Sequence, residues 1–126
     1  MTIVAINPPG IPVSGLPFSP AVKAGPFVFV SGQASVDTMG KIVPDTFEAE
    51  VRRSFENVKQ ILVGAGLTLK HVVQVRSYVA RQEDLPEYNK IYRDIFETPY
   101  PARTTLIGCL GTVVKFEVDV VAYTES

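Results

Sequence analysis

A chain of 126 residues suffices for one domain that buries roughly two-thirds of the surface its unfolded form exposes. With 46% hydrophobic and 20% charged residues it has the balance of a globular protein, which excludes a disordered or fibrous class. A net charge of -1, with no basic run, supplies no large field for a polyanion and disfavours nucleic acid as the main partner, while leaving room for a local anion site.

Residues 2–6 read as a short apolar strand, closed by Asn7-Pro8-Pro9-Gly10 and followed by a Pro/Gly/Ser-rich loop to residue 20. A strand over 21–24 leads through the Gly25-Pro26 turn to Phe27-Val-Phe-Val-Ser31. This continuous apolar run predicts a strand covered on both faces and broken at Gly32. Residues 37–40 form a hairpin tip leading to residues 41–43. Asp45 or Thr46 then caps a helix whose apolar residues, Phe47, Val51, Phe55, Val58, Ile61, Leu62 and Ala65, keep a helical period up to a stop at Gly66.

Alternation over 71–80 predicts a strand. Asp84 and Pro86 open a second helix, with Leu85, Tyr88, Ile91, Tyr92, Ile95 and Phe96 on one side, before Pro99 and Pro101 end it. Residues 104–110 and 115–123 read as strands joined at Gly111-Thr112, so that 103–109 would lie alongside 115–121. The order strands, helix, strand, helix, strands indicates an α+β fold over residues 1–126, a sheet with two helices on one face. The sheet's other face then needs a cover. On the last strand it carries Lys115, Glu117, Asp119, Val121 and Tyr123, a mixture that suits a subunit interface containing a polar site.

Cys109 is the sole cysteine, which excludes an intramolecular disulfide and a one-chain thiolate cluster and fits a reducing compartment. It lies in an apolar stretch and reads as core. No run approaches the ~18 apolar residues of a membrane span, and the N-terminal stretch lacks a signal peptide's basic region, so a cytoplasmic location is expected. No nucleotide loop or familiar metal motif occurs. His71, the sole histidine, reads as a solvated turn residue, and Tyr88, Tyr92 and Phe96 as a core face.

Two polar residues stand out. Arg103 follows Pro101 at the mouth of a strand: it can cap a sheet edge, pair with an acid, or clamp a carboxylate, whose two oxygens match the paired donors of a guanidinium. Glu117 sits on a mostly apolar strand. It is either a salt-bridged surface group or, if partly desolvated, a proton shuttle.

The segments Phe29-Val-Ser-Gly-Gln33, Asn57-Val-Lys-Gln-Ile-Leu-Val-Gly-Ala-Gly66, Tyr88-Asn89, Pro101-Ala-Arg-Thr-Thr105 and Lys115-Phe-Glu-Val-Asp119 resemble the reactive intermediate deaminase family, Rid or YjgF-type, in its order and spacing. The resemblance implies a single chorismate-mutase-like domain assembled as a homotrimer, its sheets lining a central barrel and its sites in clefts between subunits. It implies hydrolysis of enamine and imine acids of the 2-aminoacrylate and 2-aminocrotonate type to 2-keto acids and ammonia, without cofactor or metal. Arg103 would hold the substrate carboxylate with help from the Thr105 backbone, Glu117 would activate water, Ser31 and Gly32 would line the imine end, and Asn89 would stand near the site. Phe18 replaces a tyrosine of many members and Thr105 a cysteine of some, so substrate preference is open; a larger substrate, as in aminomuconate deaminases, fits the same outline. Other classes in view are a non-catalytic module binding 2-keto acids and the endoribonuclease or translation inhibitor of the family's older names.

Overall fold

The computed structural model describes residues 2–125. Six strands form one mixed sheet: β1 (Ile3–Ile6), β2 (Ala21–Ala24), β3 (Phe27–Ala34), β4 (Val72–Val79), β5 (Ala102–Ile107) and β6 (Phe116–Tyr123), in the spatial order β1-β2-β3-β6-β4-β5. Helices α1 (Phe47–Gly64) and α2 (Leu85–Ile95) interrupt them, as expected of an α+β chain.

α1 forms where its ends and its face agree. The Thr46 side chain accepts from the Ala49 amide at 3.2 Å, Glu48 and Glu50 stand in the first turn near the positive end of the helix, and Phe47, Val51, Phe55, Val58, Ile61 and Leu62 are buried along one stripe. Each of those apolar side chains contributes roughly 1.5–3 kcal/mol by leaving water. The helix itself ends at Gly64; Gly66, at φ 75°, lets the chain reverse while the Ala65 and Leu67 amides both return to the Leu62 carbonyl. In α2 the residue expected as a cap, Asp84, makes no side-chain cap bond and instead meets Arg81 at 3.3 Å.

β6 carries the two-residue period in full: Phe116, Val118, Val120 and Ala122 are buried, while Glu117, Asp119 and Val121 are half-buried and Tyr123 is exposed. The buried row joins Val28, Val30, Val75 and Val79 beneath α1 and the aromatic side chains of α2, forming the core between sheet and helices.

Three expectations are corrected. β3 does not stop at Gly32: it runs to Ala34 with a register shift against β6 between Val30 and Gln33, a bulge that absorbs the irregularity without ending the ladder. Nor is β3 covered on both faces within one chain, since Val28 and Val30 are buried but Phe27 and Phe29 remain 39% and 44% exposed. Finally, β5 and β6 are not a hairpin, because β4 lies between them, parallel to β5 and antiparallel to β6. The connection from 108 to 115 is long enough to pass over the end of β4 and is fastened there: the Gly108 amide donates to the Val79 carbonyl at 3.0 Å and the Ala80 amide to the Lys115 carbonyl at 3.1 Å.

Candidate active site

The sequence-predicted residues fall into two groups. The first gathers around Arg103 on β5. Its Nη2 donates to Asn89 Oδ1 at 2.6 Å, and its guanidinium carbon lies 4.9 Å and 4.8 Å from the ring centroids of Tyr88 and Tyr92 on α2. Each ring contact contributes about 0.5–2 kcal/mol to holding the cation in a half-buried place. Tyr88 is fixed in turn by a hydrogen bond between its hydroxyl and Ser77 Oγ, and Ser77 is the register partner of Thr105. Burial raises the phenol pKa of Tyr88 above its ordinary value and pushes that of Tyr92 up to about 12, so both rings stay neutral beneath the cation.

Arg103 opens into a cleft of about 220 Å³ lined also by Asn89, Tyr92, Arg93, Tyr100 and Pro101. Among the described residues no carboxylate comes within ion-pair distance of it; the ion pairs present belong to other cations. Of the roles open to Arg103 from sequence, pairing with an acid is therefore set aside. A guanidinium stacked on aromatic faces, with one donor used on an amide oxygen, keeps the remaining donors for an anion. A larger concavity of about 510 Å³ near the end of the chain, lined by Lys70, His71, Val73, Tyr123, Thr124 and Glu125, contains none of the expected site residues.

The second group surrounds Glu117 on β6. Ser31 Oγ donates to the Ser19 carbonyl at 2.6 Å and the Ser31 amide to the Pro20 carbonyl at 2.9 Å, fastening the loop that carries the 57%-exposed Phe18 beside β3. Gly32 packs against the acid so closely that a β-carbon there would stand 2.9 Å from Glu117 Oε2. Burial, and secondarily the charge of Asp119, holds the Glu117 carboxyl above its ordinary pKa. Asp119 is itself engaged by the Tyr78 hydroxyl at 2.7 Å and Arg76 Nε at 2.8 Å. No donor among the described residues hydrogen-bonds the Glu117 carboxylate, which leaves its two oxygens open.

One chain does not bring these groups together. Arg103 pairs with Val75, and Val75 with the buried Val120, so Arg103 stands on the helix-covered face. Glu117 pairs with Tyr78, three residues on from Val75, and stands on the opposite face. The expected strand pairing that would have joined them is the one β4 interrupts.

Three other readings can be placed. Cys109 is exposed, outside β5, rather than in the core, because the strand stops at Ile107 and the chain turns at Gly108, φ 87°. His71 sits in a turn, accepting from the Thr68 amide at 3.1 Å through Nδ1. The stripe of Tyr88, Tyr92 and Phe96 is core, at 0%, 5% and 5% exposure, but it is also the bed on which Arg103 lies. That second role was missed from sequence, although the alternation of Arg103 and Thr105 was a signal that both face the helices. Among the described residues no cluster of three or more His, Cys, Asp or Glu is arranged to hold a metal ion, and no helix is long and apolar enough to cross a membrane.

The chain is similar to known proteins over nearly its whole length. A family model described as Endoribonuclease L-PSP matches residues 11–124. The mitochondrial protein mmf2 of Schizosaccharomyces pombe is 36% identical over 106 residues, 84% of this chain and 82% of that one. A 2-iminobutanoate/2-iminopropanoate deaminase of Dermatophagoides farinae is 30% identical over 91 residues, 71% of each chain. Among solved structures, YyfA of Yersinia pestis, a Rid-family protein of unknown function, has a TM-score of 0.89 at 25% identity over 98% of this chain and 100% of its own. TdcF of E. coli with bound serine has a TM-score of 0.84 at 29% identity over 96% and 98%.

Proposed function

Because the chain belongs to the Rid family, whose sequence model carries the name Endoribonuclease L-PSP, we propose that it hydrolyses reactive imine and enamine acids of the 2-aminoacrylate and 2-aminocrotonate type to 2-keto acids and ammonia. The observation that carries the reading is the half-buried guanidinium of Arg103, stacked on two tyrosines and free of any carboxylate among the described residues. Serine, an amino acid, is the ligand of the similar TdcF structure, and the similar mite protein is named for deamination of such imines.

In this reading Arg103 and the Thr105 backbone fix the substrate carboxylate, with Asn89 holding the guanidinium in place. The enamine tautomerises to the imine by gaining a proton at carbon and losing one from nitrogen. Glu117 takes a proton from water as the water oxygen bonds to the imine carbon and the C=N π pair moves to nitrogen, and the Glu117 carboxyl then gives that proton to the nitrogen. The hydroxyl proton of the resulting carbinolamine passes to the nitrogen as the C–N bond breaks, which yields the keto acid and ammonia. Fixing the acceptor beside a placed water supplies much of the acceleration by removing orientational freedom. Ser31 and Gly32 line the imine end, and Phe18 closes the wall without the hydroxyl that a tyrosine would offer.

Since Arg103 and Glu117 occupy opposite faces of the sheet, the complete site is proposed to form between copies, Arg103 from one and Glu117 from the next, in a homotrimer whose uncovered sheet faces line a central barrel. The reaction is proposed to need no cofactor. A cytoplasmic setting belongs to the same proposal, although the similar S. pombe protein is mitochondrial.

The test generates 2-aminoacrylate or 2-aminocrotonate in situ with a dehydratase and follows keto-acid release. Glu117→Ala is expected to slow turnover about 10²–10⁴-fold while still binding 2-keto acid. Arg103→Ala is expected to weaken binding about a hundredfold. Binding by wild type without acceleration would indicate a 2-keto acid binding module instead, and RNA cleavage that survives repurification would restore the endoribonuclease reading.

A further inference from the structure

The cleft that holds Arg103 carries a second cation. Arg93, in the last turn of α2, lines the same space of about 220 Å³. Among the described residues neither guanidinium has a carboxylate within ion-pair distance: the ion pairs present engage Arg52, Arg53, Arg76, Arg81 and Lys115. Two like charges facing one concavity raise its positive potential. An occupant with a single negative charge compensates only one of them.

A third donor stands open in the same wall. Tyr92 is only 5% exposed, and its hydroxyl has no hydrogen-bond partner among the described residues, although buried hydroxyls are ordinarily satisfied. Beside the two cations and Asn89 the lining is Tyr92, Tyr100 and Pro101, surfaces suited to a short carbon chain. We propose that the preferred substrates of this site are imino acids bearing a second carboxylate, with Arg103 holding the carboxylate beside the imine and Arg93 the distal one. The inference rests on the reading of Arg103 as a carboxylate clamp and specifies the substrate class that the clamp serves.

The two ideas separate in one binding experiment on the assembled protein. Product analogues of equal chain length, 2-oxopentanedioate and 2-oxopentanoate, are titrated by calorimetry. The dicarboxylate is expected to bind about tenfold more tightly. Arg93→Ala is expected to bring the ratio of the two dissociation constants close to one, and Arg93→Lys, which keeps the charge without the paired donors, to leave an intermediate ratio. Raising the salt from 50 to 500 mM should shrink the wild-type ratio.

Equal affinities in wild type overturn the dicarboxylate proposal and leave the Arg103 reading intact. So does a ratio that Arg93→Ala leaves untouched, which would reduce Arg93 to a charge at the negative end of α2. Failure of both ligands to bind overturns the clamp and the dicarboxylate proposal together.

Discussion

At the residue scale, Gly32 and Glu117 act as one unit. The glycine is required by distance: a methyl group at position 32 would meet Glu117 Oε2 at 2.9 Å, and the cheapest relief is for the carboxylate to swing away, since it is the far end of a flexible side chain. Burial raises the Glu117 pKa, and the proposed base works only when ionised, so activity should fall as pH drops through that raised value. The acidic limb of the wild-type kcat/KM profile is therefore expected above the ordinary glutamate range. Gly32→Ala should lower kcat more than tenfold and move that limb down, as the displaced carboxylate gains water, while the melting temperature changes little. A limb that stays in place with unaltered turnover would show that the close approach has no part in catalysis.

At the element scale, β6 is positioned by a residue no active-site argument would single out. Glu50 on α1, 1% exposed, accepts from the Lys115 amide at 3.0 Å through Oε1, and from the Asp45 amide at 3.0 Å and Lys115 Nζ at 3.2 Å through Oε2. One buried carboxylate thus joins the approach to α1 to the residue just before β6, two positions ahead of Glu117. Glu50→Ala leaves two amides without their acceptor and the Lys115 ammonium with the Asp45 carbonyl, at 2.7 Å, as its remaining partner. It is expected to cost about 3 kcal/mol in denaturant unfolding. A cost below about 1 kcal/mol, the range of a surface pair, would mean that water replaces the carboxylate freely.

The elements also mark where sequence reading succeeds. The cap at Thr46, the stripe on α1 and the alternation on β6 are local patterns, set by residues within a turn or two of each other. Which strand lies beside which is not local. Nothing in the 108–115 connection announces that it crosses β4, and a Gly-Thr pair at 111–112 looks like any tight turn. The same limit applied to the site: Arg103 with Asn89, and Ser31 and Gly32 with Glu117, were named from family resemblance, but their separation into two groups needed the strand order. Cys109 was misplaced for a related reason, since apolar neighbours do not fix the residue at which a strand ends.

At the scale of the whole molecule, the uncovered face of the sheet presents Phe27 in contact with Phe29 and with Tyr123, at ring-centroid distances of 6.3 Å and 5.5 Å, and the three remain 39%, 44% and 41% exposed. The proposed trimer would cover such a face, and it gives the opposed positions of Arg103 and Glu117 a genetic meaning. A population of mixed chains should behave as though neither lesion were fully recessive: Arg103→Ala and Glu117→Ala, each inactive alone, are expected to regain about a quarter of wild-type activity when co-assembled in equal amounts, because about one interface in four pairs an intact arginine with an intact glutamate. Absence of any regain in verified hybrids would mean that both residues must come from the same chain. Two damaged copies that together make a working site would show that the unit on which selection acts here is the contact between chains.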